Sequence, residues 1–256
     1  MRLNSYFFFK PYRRSLVRLE KKSGMKNILI AGASKGIGLS LAQLVISDYS
    51  TFTLSRTLTP ELAALQTRHF SLDAVKDPLE ALQDLPDTLH GLVYCPGSIT
   101  LKTINRLTVE DFIADFRQNV IGAVRLIQYC LPRLKRAGGA SVVLFSTVAV
   151  KTGMAFHSSI AAAKAGVEGL GKSLAAELAS QQIRVNVIAP SLTQTSLAQA
   201  LLNTPEKIEA SAKRHPINRI GQPEDMASLA HFLITDQASW ITGQVIGVDG
   251  GLSALR

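Results

Sequence analysis

Short apolar runs alternate with longer stretches of helical periodicity through most of the chain. The first run, KNILIAGA at residues 26–33, is continuously hydrophobic and ends in small residues, which is typical of a strand buried on both faces. Further strands are predicted by the runs STFTLSR, GLVYCPG, ASVVLFSTVA, IRVNVIAPS and GQVIGVDGG. Between these runs, the periodicity predicts helices at residues 37–48, 109–134 and 159–181.

Strict alternation of strands and helices predicts a parallel sheet, because parallel strands need right-handed crossovers that place helices on both faces. We therefore expect an α/β fold, a Rossmann-type doubly wound parallel sheet in a three-layer α/β/α sandwich. No internal repeat and no linker follows residue 25, so residues 25–256 are expected to form a single domain. Ligands of such sheets bind at the carboxyl ends of the strands, where the strand order reverses.

The positive charge of the chain is concentrated at its N-terminus. Residues 1–24 hold seven basic residues and one acidic residue, so they contribute +6 of the formal net charge of +9. A basic tail on a nearly neutral body does not favour nucleic-acid binding by the body. We expect a flexible extension, with an amphipathic segment on an anionic membrane surface as the alternative. The apolar run YFFFK is too short to span a membrane, and no other segment is long and apolar enough.

The two cysteines, Cys95 and Cys130, are far apart in the sequence and do not have the spacing of metal ligands. No metal site is therefore predicted. Both thiols are expected to be buried and unreactive, as in a protein of a reducing compartment. A cytoplasmic location is the simplest expectation.

The glycine-rich segment AGASKGIG, residues 31–38, joins the first predicted strand to the first helix. Gly32 is expected to turn out of the strand, while Gly36 and Gly38 let the backbone approach a diphosphate and pack the helix on the strand. The helix N-terminus adds unpaired amides and the positive end of its dipole. A purely structural tight turn is the alternative, because the spacing GxxxGxG is not the commonest dinucleotide fingerprint. The loop residues predicted to bind a cofactor are Gly32, Ser34, Lys35, Gly36, Ile37 and Gly38.

The end of the second strand indicates which dinucleotide is bound. Its sequence TLSRT supplies Ser55 and Arg56 and no carboxylate. An acidic residue here would bind the ribose 2′-hydroxyl of NAD, whereas a cation binds the 2′-phosphate of NADP. Lys35 adds a second cation nearby, and a guanidinium can hold a phosphate through two hydrogen bonds. NADP is therefore expected, with NAD as the less favoured cofactor; the alternative for Arg56 is a solvated loop residue.

Several motifs together resemble the short-chain dehydrogenase/reductase family over residues 25–256. In chain order they are AGASKGIG, CPG, QNVIG, AAAKAGVEGLGKSLAAELA, IRVNVIAPS and ITGQVIGVDGG. The resemblance implies a single Rossmann domain that binds NAD or NADP, usually within a homotetramer or dimer. It also implies cofactor contacts from Asp73, Ala74, Pro96, Gly97, Lys164, Pro190, Thr193 and Thr195. Two departures weaken individual contacts, since CPG stands in place of Asn-Ala-Gly and Ser191 stands in place of a glycine.

The same resemblance implies an Asn-Ser-Tyr-Lys catalytic set, from which this chain departs at two positions. Asn119 and Lys164 match the first and last members, Thr147 stands in place of the serine, and Ile160 in place of the tyrosine. Thr147 keeps a hydroxyl that can bind a substrate oxygen, whereas Ile160 has no proton to donate. Loss of a general acid lowers a rate by about 10²- to 10⁴-fold, so the usual carbonyl chemistry is not expected. For Asn119, bending the helix or holding a water is the alternative to direct chemistry.

His157 is the candidate replacement for the missing acid. It precedes Ile160 by three residues and Lys164 by seven, so the three share a face if the helix extends that far. The arrangement resembles the enoyl-thioester reductases of the superfamily, where a tyrosine stands seven residues before the lysine; dienoyl-CoA reductases also lack the usual tyrosine. A surface or loop-capping role for His157 is the alternative, as is a role for Lys164 in ribose binding alone. Ser158 and Ser159 are interpreted as helix-capping residues.

These observations predict an NADP(H)-dependent oxidoreductase with an altered active site. It is expected to transfer hydride to a carbonyl or to a conjugated C=C bond, as an enoyl reductase does. A catalytically silent NADP(H)-binding sensor or assembly partner is the alternative, since Ile160 excludes the common route. The resemblance also implies a mobile substrate lid at residues 192–218, whose Leu and Ala content favours an apolar or acyl-type substrate. It implies subunit interfaces at residues 111–136, 158–180 and the segment WITGQVIGVDGG.

Overall fold

The structure is a computed structural model, and it describes residues 24–255. The extension predicted for residues 1–24 therefore falls almost entirely outside the described residues. Strands form one seven-stranded sheet in the order β3-β2-β1-β4-β5-β6-β7, and all neighbouring pairs are parallel. The strands are β1 (Asn27–Ala31), β2 (Ser50–Ser55), β3 (Arg68–Ser71), β4 (Gly91–Tyr94), β5 (Ala140–Phe145), β6 (Ile183–Pro190) and β7 (Val245–Val248). The expected α/β Rossmann-type sheet is confirmed.

One strand, β3, was not predicted from the apolar pattern. Its sequence RHFS has a single large apolar residue, Phe70, and both of its end residues, Arg68 and Ser71, are exposed. It lies at the edge of the sheet and pairs only with β2 among the described strands. An edge strand buries less surface than a central one, so it does not require a continuous hydrophobic run; β7, at the other edge, has one nonetheless.

Helices cover both faces of the sheet. They are α1 (Gly36–Val45), α2 (Pro60–Ala63), α3 (Val109–Phe116), α4 (Gly122–Arg136), α5 (Ala149–Thr152), α6 (Ser158–Leu178), α7 (Pro205–Lys213) and α8 (Pro223–Ile234). Alternate residues of β1 enter different cores: Leu29 packs in the cluster that holds Leu126 of α4, while Ile28 and Ile30 pack with Leu41 of α1. This alternation is what makes a strand hydrophobic on both sides and the molecule three layers thick.

The long helix predicted over residues 109–134 is interrupted in the structure. A π-helical turn, Arg117–Ile121, lies between α3 and α4. Such turns insert an extra residue into a helix and occur often at functional sites. Asn119 lies within the turn and is buried. The prediction of one regular helix was therefore wrong in this detail, because periodicity over 26 residues does not reveal a single inserted residue.

The strand order reverses between β1 and β4, whose carboxyl ends lie side by side. Gly32 follows β1 with φ +78°, and a Cβ placed on it would lie 2.8 Å from the backbone nitrogen of Pro96, which follows β4. Only glycine allows the two loops to approach so closely. The crevice between them is where ligands of doubly wound sheets bind.

Within residues 24–255, no helix combines the length and the hydropathy that crossing a bilayer requires. In the same range, no group of three or more His, Cys, Asp or Glu side chains is arranged to hold a metal ion.

Candidate cofactor and substrate site

Two adjoining clefts open at the carboxyl ends of the strands. The larger cleft, which we call the dinucleotide cleft, has a volume of about 850 Å³ and lies over the glycine loop. The smaller one, the substrate cleft, has a volume of about 310 Å³ and lies over the ends of β5 and β6. They share wall residues that include Ile37, Gly97 and Thr195. A ligand could therefore extend from one cleft into the other.

The glycine loop forms the floor of the dinucleotide cleft. The helix α1 begins at Gly36, so the free amides of its first turn face the cleft and favour an anion there. Gly38 packs against the loop so closely that a Cβ would lie 2.3 Å from the carbonyl oxygen of Gly32. All six loop residues predicted to bind a cofactor line this cleft: Gly32, Ser34, Lys35, Gly36, Ile37 and Gly38.

Two cations lie beside the glycine loop. Lys35 and Arg56 line the dinucleotide cleft and are exposed, and neither makes a side-chain hydrogen bond or ion pair within residues 24–255. Ser55, at the end of β2, is buried and donates a hydrogen bond to the Thr57 carbonyl at 2.8 Å. No carboxylate follows β2 before Glu61, whereas NAD-type sites use an acidic residue there. This end of the cleft thus presents free positive charge.

The other predicted cofactor residues are distributed between the two clefts. Asp73 accepts a hydrogen bond from the Val75 amide at 2.8 Å, which holds its carboxylate at the turn after β3. Asp73, Ala74, Pro96, Gly97 and Thr195 line the dinucleotide cleft, while Lys164, Pro190, Thr193 and again Thr195 line the substrate cleft. The fold thus brings together residues that are more than 160 positions apart in the chain.

Lys164 projects from α6 into the base of the substrate cleft. Its Nζ donates a hydrogen bond to the Phe145 carbonyl at 2.7 Å, and the side chain is 8% exposed. Burial lowers the pKa of Lys164 to about 8, while Cys95 and Asp115 act in the opposite direction. An ammonium with a pKa near neutrality and unused donor protons is suited to bind a ribose hydroxyl or to stabilise developing negative charge.

Asn119 lies behind the wall of the clefts rather than in it. Its Nδ2 donates to the Asp115 carbonyl at 2.8 Å and to Ser98 Oγ at 3.1 Å, which turns Oδ1 the other way. Asn119 Oδ1 is buried and has no hydrogen-bond partner among the described residues. A Cβ built on Gly97 would lie 3.3 Å from this oxygen and 3.7 Å from Lys164 Nζ. Asn119 Oδ1, an acceptor without a partner among the described residues, and Lys164 Nζ therefore both lie close to Gly97.

The Asn119 amide is linked to a buried carboxylate through Ser98, whose Oγ accepts from Asn119 Nδ2 and donates to Asp115 Oδ1. Asp115 is 1% exposed and accepts hydrogen bonds from Ser98 Oγ and Ser159 Oγ, each at 2.7 Å, and from Thr100 Oγ1 at 3.3 Å. Three hydroxyl donors compensate much of the cost of burying the charge. Ser159, interpreted from the sequence as a helix cap, instead donates its hydroxyl proton to this carboxylate.

Thr147 and Ser146 follow β5 but face different partners. Thr147 is half-buried, lines the substrate cleft and accepts a 3.3 Å hydrogen bond from the Ala149 amide, so its hydroxyl proton is free to be donated. Ser146 is buried and donates its proton to Glu168 Oε1 at 2.5 Å. Of the two hydroxyls, Thr147 is therefore the one available to a ligand.

His157 and Ile160 line the same cleft as Lys164 and Thr147. The helix α6 begins at Ser158, so His157 immediately precedes it as the N-cap residue without a capping side-chain bond. Its Nδ1 lies 2.7 Å from the Ala155 carbonyl, which can only accept, so Nδ1 carries a proton and Nε2 is left for a ligand. Ile160 is 3% exposed and presents only carbon atoms.

A histidine–serine pair in the substrate cleft was not predicted. His215 Nε2 lies 2.8 Å from Ser191 Oγ, and both residues line the cleft. The sequence signal was Ser191 after Pro190, which had been noted only as a departure from a family glycine. Asp115 was also missed, because a single acidic residue on an amphipathic helix usually lies on its exposed face.

The clefts suit a nicotinamide dinucleotide. Helix-terminal amides and free cations face the space for phosphates, while Gly38 allows the loop to pack closely beneath them. At the far end, Lys164 Nζ offers a donor for a sugar hydroxyl. The donor set thus matches the polarity of such a cofactor along its length.

Comparison with known proteins identifies the family. The family model described as Enoyl-(Acyl carrier protein) reductase matches residues 32–253. A 3-oxoacyl-(acyl-carrier-protein) reductase of Thermotoga maritima is 32% identical over 242 residues, which cover 89% of this chain and 97% of that protein. The crystal structure of TT0495 protein from Thermus thermophilus is similar with a TM-score of 0.83 at 30% identity, covering 90% of this chain and 99% of that one. A structure described as ElxO with NADP bound has a TM-score of 0.81 at 25% identity, covering 89% and 98% of the two chains. The chain therefore belongs to the short-chain dehydrogenase/reductase family of NAD(P)-dependent oxidoreductases.

Proposed function

We propose that the protein is an NADP(H)-dependent oxidoreductase with an altered active site, which transfers hydride to a carbonyl or to a conjugated C=C bond. The observation that carries the cofactor choice is the pair of unpaired cations, Lys35 and Arg56, beside a strand end without a carboxylate. A guanidinium binds a phosphate dianion strongly, whereas an acidic residue would repel it. The similar structure that is described with NADP bound supports the same choice.

Titration calorimetry with NADPH and NADH tests the cofactor preference. We expect NADPH to bind at least about tenfold more tightly, which corresponds to about 1.4 kcal/mol. Arg56→Ala should weaken NADPH binding and leave NADH binding unchanged. Arg106→Ala is the matched control, because Arg106 is exposed and lies outside both clefts. Equal affinities for the two nucleotides in the wild type would contradict the NADP assignment.

The side chains of the substrate cleft indicate how the reaction would be supported. A bound nicotinamide would supply or accept the hydride. Lys164 Nζ is placed to hold the ribose and to lower the energy of negative charge in the cleft. Thr147 Oγ1 and His157 Nε2 are placed to hydrogen-bond a substrate oxygen. Asn119, which lies behind the wall, positions rather than contacts the substrate.

The substrate cleft favours an apolar or acyl-type molecule. Its wall includes Ile99, Met154, Leu192 and Leu201, and among residues 24–255 no carboxylate lines it. Ile160 is buried at the position where the resemblance places a tyrosine, which removes the usual proton donor of ketone reduction. Hydride addition to a C=C bond conjugated with a carbonyl places negative charge on the carbonyl oxygen, farther from the carbon that receives hydride. An enone or enoyl thioester therefore needs a hydroxyl or imidazole contact at the oxygen.

A substrate panel tests the reaction. NADPH oxidation should be measured with crotonyl-CoA, 2-cyclohexenone, acetoacetyl-CoA and menadione, which represent enoyl thioesters, enones, ketones and quinones. We expect turnover with the conjugated C=C substrates, and Lys164→Ala should abolish it. Absence of turnover with every substrate, despite NADPH binding, would favour the second candidate function.

That second candidate is a catalytically silent NADP(H)-binding sensor or assembly partner. The observation in its favour is Ile160, which is buried in the cleft and cannot donate a proton. Ile160→Tyr separates the two candidates. Gain of ketone reduction in a silent wild type would support the sensor, whereas loss of an existing activity would support different chemistry at this site.

Subunit association is a further part of the proposal. Val109, Ile113 and Phe116 of α3 and Ile121 of the π turn are exposed apolar residues, and Trp240 before β7 is 98% exposed. Such patches are typical of interaction surfaces. We propose a homotetramer or dimer that buries them, to be measured by light scattering after size exclusion. Two unpaired cysteines, Cys95 and Cys130, are consistent with a proposed cytoplasmic location.

A further inference from the structure

We propose that Ser191 and His215 form the proton donor of this enzyme, with Ser191 giving its proton to the substrate and His215 replenishing it. Ser191 would be the catalytic residue, and His215 the residue that positions and recharges it. This proposal rests on the proposed function, because it concerns the proton that must accompany hydride transfer. It provides a proton donor for the substrate cleft, where Ile160 stands in place of the tyrosine and has no proton to give.

The geometry of the pair fixes the direction of its hydrogen bonds. His215 Nδ1 lies 2.8 Å from the Ser211 carbonyl, which only accepts, so Nδ1 carries a proton in either charge state. In the neutral ring Nε2 is then an acceptor, and Ser191 Oγ donates to it at 2.8 Å. In the imidazolium Nε2 donates to Ser191 Oγ instead, and the serine proton becomes free for another acceptor. Protonation of His215 therefore converts Ser191 from an acceptor toward the cleft into a donor.

Hydrogen bonding distinguishes His215 from His157, the other histidine of the cleft. His215 lies just beyond the C-terminus of α7, and its ring contacts a carbonyl of the last turn. His157 lies at the N-terminus of α6, where its own carbonyl accepts the first helical bond from Ala161. Among the described residues, only His215 of the two has a hydroxyl within hydrogen-bond distance of its Nε2, so it is the histidine that can pass a proton to a serine.

The position of the pair connects it to both the cleft and a proton source. Ser191 directly follows β6, and the Pro190 carbonyl accepts a hydrogen bond from the Val148 amide at 3.0 Å, beside Thr147. Ser191 and His215 also line a second cavity, of about 320 Å³. The pair therefore borders both cavities, and the second gives a proton a route to His215 besides the substrate cleft.

Charged groups approach the pair from several elements. On the cleft side the titratable or charged residues are Cys95, His157, Lys164 and Arg214. On the side of the second cavity they are Arg219, Asp225 and Asp249. Arg219 is ion-paired with Asp225 at 2.6 Å, and the Asp249 carboxylate accepts bonds from the amides of Gly251 and Ser253. Any pH profile must therefore separate His215 from Lys164, whose pKa is about 8.

In the proposed step, a carbon of the C=O or C=C bond would receive hydride, which is two electrons and one proton, from a bound reduced nicotinamide coenzyme. The π bond breaks, and the resulting oxyanion takes the proton of Ser191 Oγ. Ser191 Oγ takes the proton of His215 Nε2, which leaves neutral imidazole, and solvent reprotonates the ring through the second cavity. For a conjugated substrate the first product is an enol, which then tautomerises.

Kinetics of four variants test the relay with the most active substrate of the panel. We expect Ser191→Ala and His215→Gln each to lower kcat by about 10²-fold with little change in KM. Glutamine keeps a donor toward Ser191 but cannot exchange a proton, so it separates proton supply from a structural contact. Ser191→Thr should retain most of the activity because it keeps the hydroxyl. His231→Asn is the control and should retain the activity of the wild type, because His231 lies on α8 outside both clefts.

The pH profile separates the relay from Lys164. The rate should change near pH 8, where Lys164 titrates, in the wild type and in both Ser191→Ala and His215→Gln. Activity of Ser191→Ala within about threefold of the wild type would overturn the relay, as would a loss of activity in Ser191→Thr equal to that in Ser191→Ala.

Nitrogen-15 NMR of the histidine rings in the free wild-type protein gives a test that needs no turnover. We expect the neutral His215 ring to carry its proton on Nδ1, because that atom faces the Ser211 carbonyl. A neutral ring with the proton on Nε2 would overturn the relay alone. A wild type without any turnover would instead overturn the proposed function, and the relay with it.

Discussion

Replacing Lys164 by methionine should stabilise the protein at neutral pH and lose that advantage in alkaline solution. Methionine has a similar length and no charge, so it removes the buried ammonium without leaving a large cavity. Folding lowers the pKa of Lys164 from 10.5 to about 8 through burial. Each pKa unit corresponds to about 1.4 kcal/mol, so keeping this group charged in the folded state costs about 3 kcal/mol.

The sign of the pH dependence follows from the proton count. Between pH 8 and 10.5 the unfolded chain holds the Lys164 proton while the folded protein releases it, so stability of the wild type rises with pH. Loss of the bond from Lys164 Nζ to the Phe145 carbonyl offsets part of the gain by about 1 to 2 kcal/mol at every pH. We therefore expect the variant to be more stable by about 1 kcal/mol at neutral pH and less stable near pH 10.5.

Urea unfolding of both proteins from about pH 7 to about pH 10.5 measures this difference. Other titrating groups are shared, so they cancel when the two free energies of unfolding are subtracted. Lys172→Met is the control, because Lys172 lies on the same helix but is exposed. A difference between wild type and Lys164→Met that stays constant with pH would refute the argument that burial of the ammonium is costly.

Three further perturbations probe the packing around the clefts. Gly38→Ala places a Cβ 2.3 Å from the Gly32 carbonyl oxygen, so we expect the free energy of unfolding to fall by about 1 to 3 kcal/mol and NADPH to bind more weakly. Thermal unfolding and calorimetry measure the two effects. Unchanged binding would contradict the close packing of the loop. Asp115→Ala leaves buried hydroxyls without their acceptor, so the free energy of unfolding in urea should fall by about 2 to 4 kcal/mol. Asp84→Ala breaks an exposed ion pair with Arg68 and should lower it by less than about 1 kcal/mol. Burial raises the pKa of the Cys95 thiol to about 12, so alkylation by iodoacetamide near pH 8 should be more than about 100-fold slower than in urea; rapid labelling of the folded protein would refute this.

The sheet and the cofactor loop could be predicted because their signals are local. Five of the seven strands bury both faces or nearly so, and β7, whose residues are half-buried or exposed, still has the apolar sequence VIGV. The glycines after β1 are required by contacts between residues close in sequence, such as Gly38 with Gly32. The strand β3 escaped because an edge strand with sequence RHFS needs no such run.

The polar machinery of the substrate cleft could be predicted only in part, because its contacts join distant residues. Ser191 and His215 are 24 residues apart, and Asp115 and Ser159 are 44 residues apart. No periodicity marks such pairs, since each partner belongs to a different element and meets the other only after the sheet has formed. The residues of this cleft that were predicted, Thr147, His157, Lys164, Pro190, Thr193 and Thr195, were found through family resemblance, with helical spacing as a further signal for His157 alone.

The π turn at Arg117–Ile121 changes the direction in which the side chains of the continuous helical segment point. Residues before the turn and residues after it can therefore contact two different parts of the molecule, which a regular helix would not allow. Each residue of an α-helix turns the chain by about 100°, so one extra residue rotates everything downstream by that angle. Upstream, Asp115 points to the polar cluster; downstream, Leu126 and Leu134 point to the core. Deleting a single residue of the turn would break one of two sets of contacts. Either the Asp115 carboxylate would lose its hydrogen bonds from Ser98 and Ser159, or Leu126 and Leu134 would lose their packing in the core. Length in this segment is therefore under tighter constraint than the identity of most of its side chains.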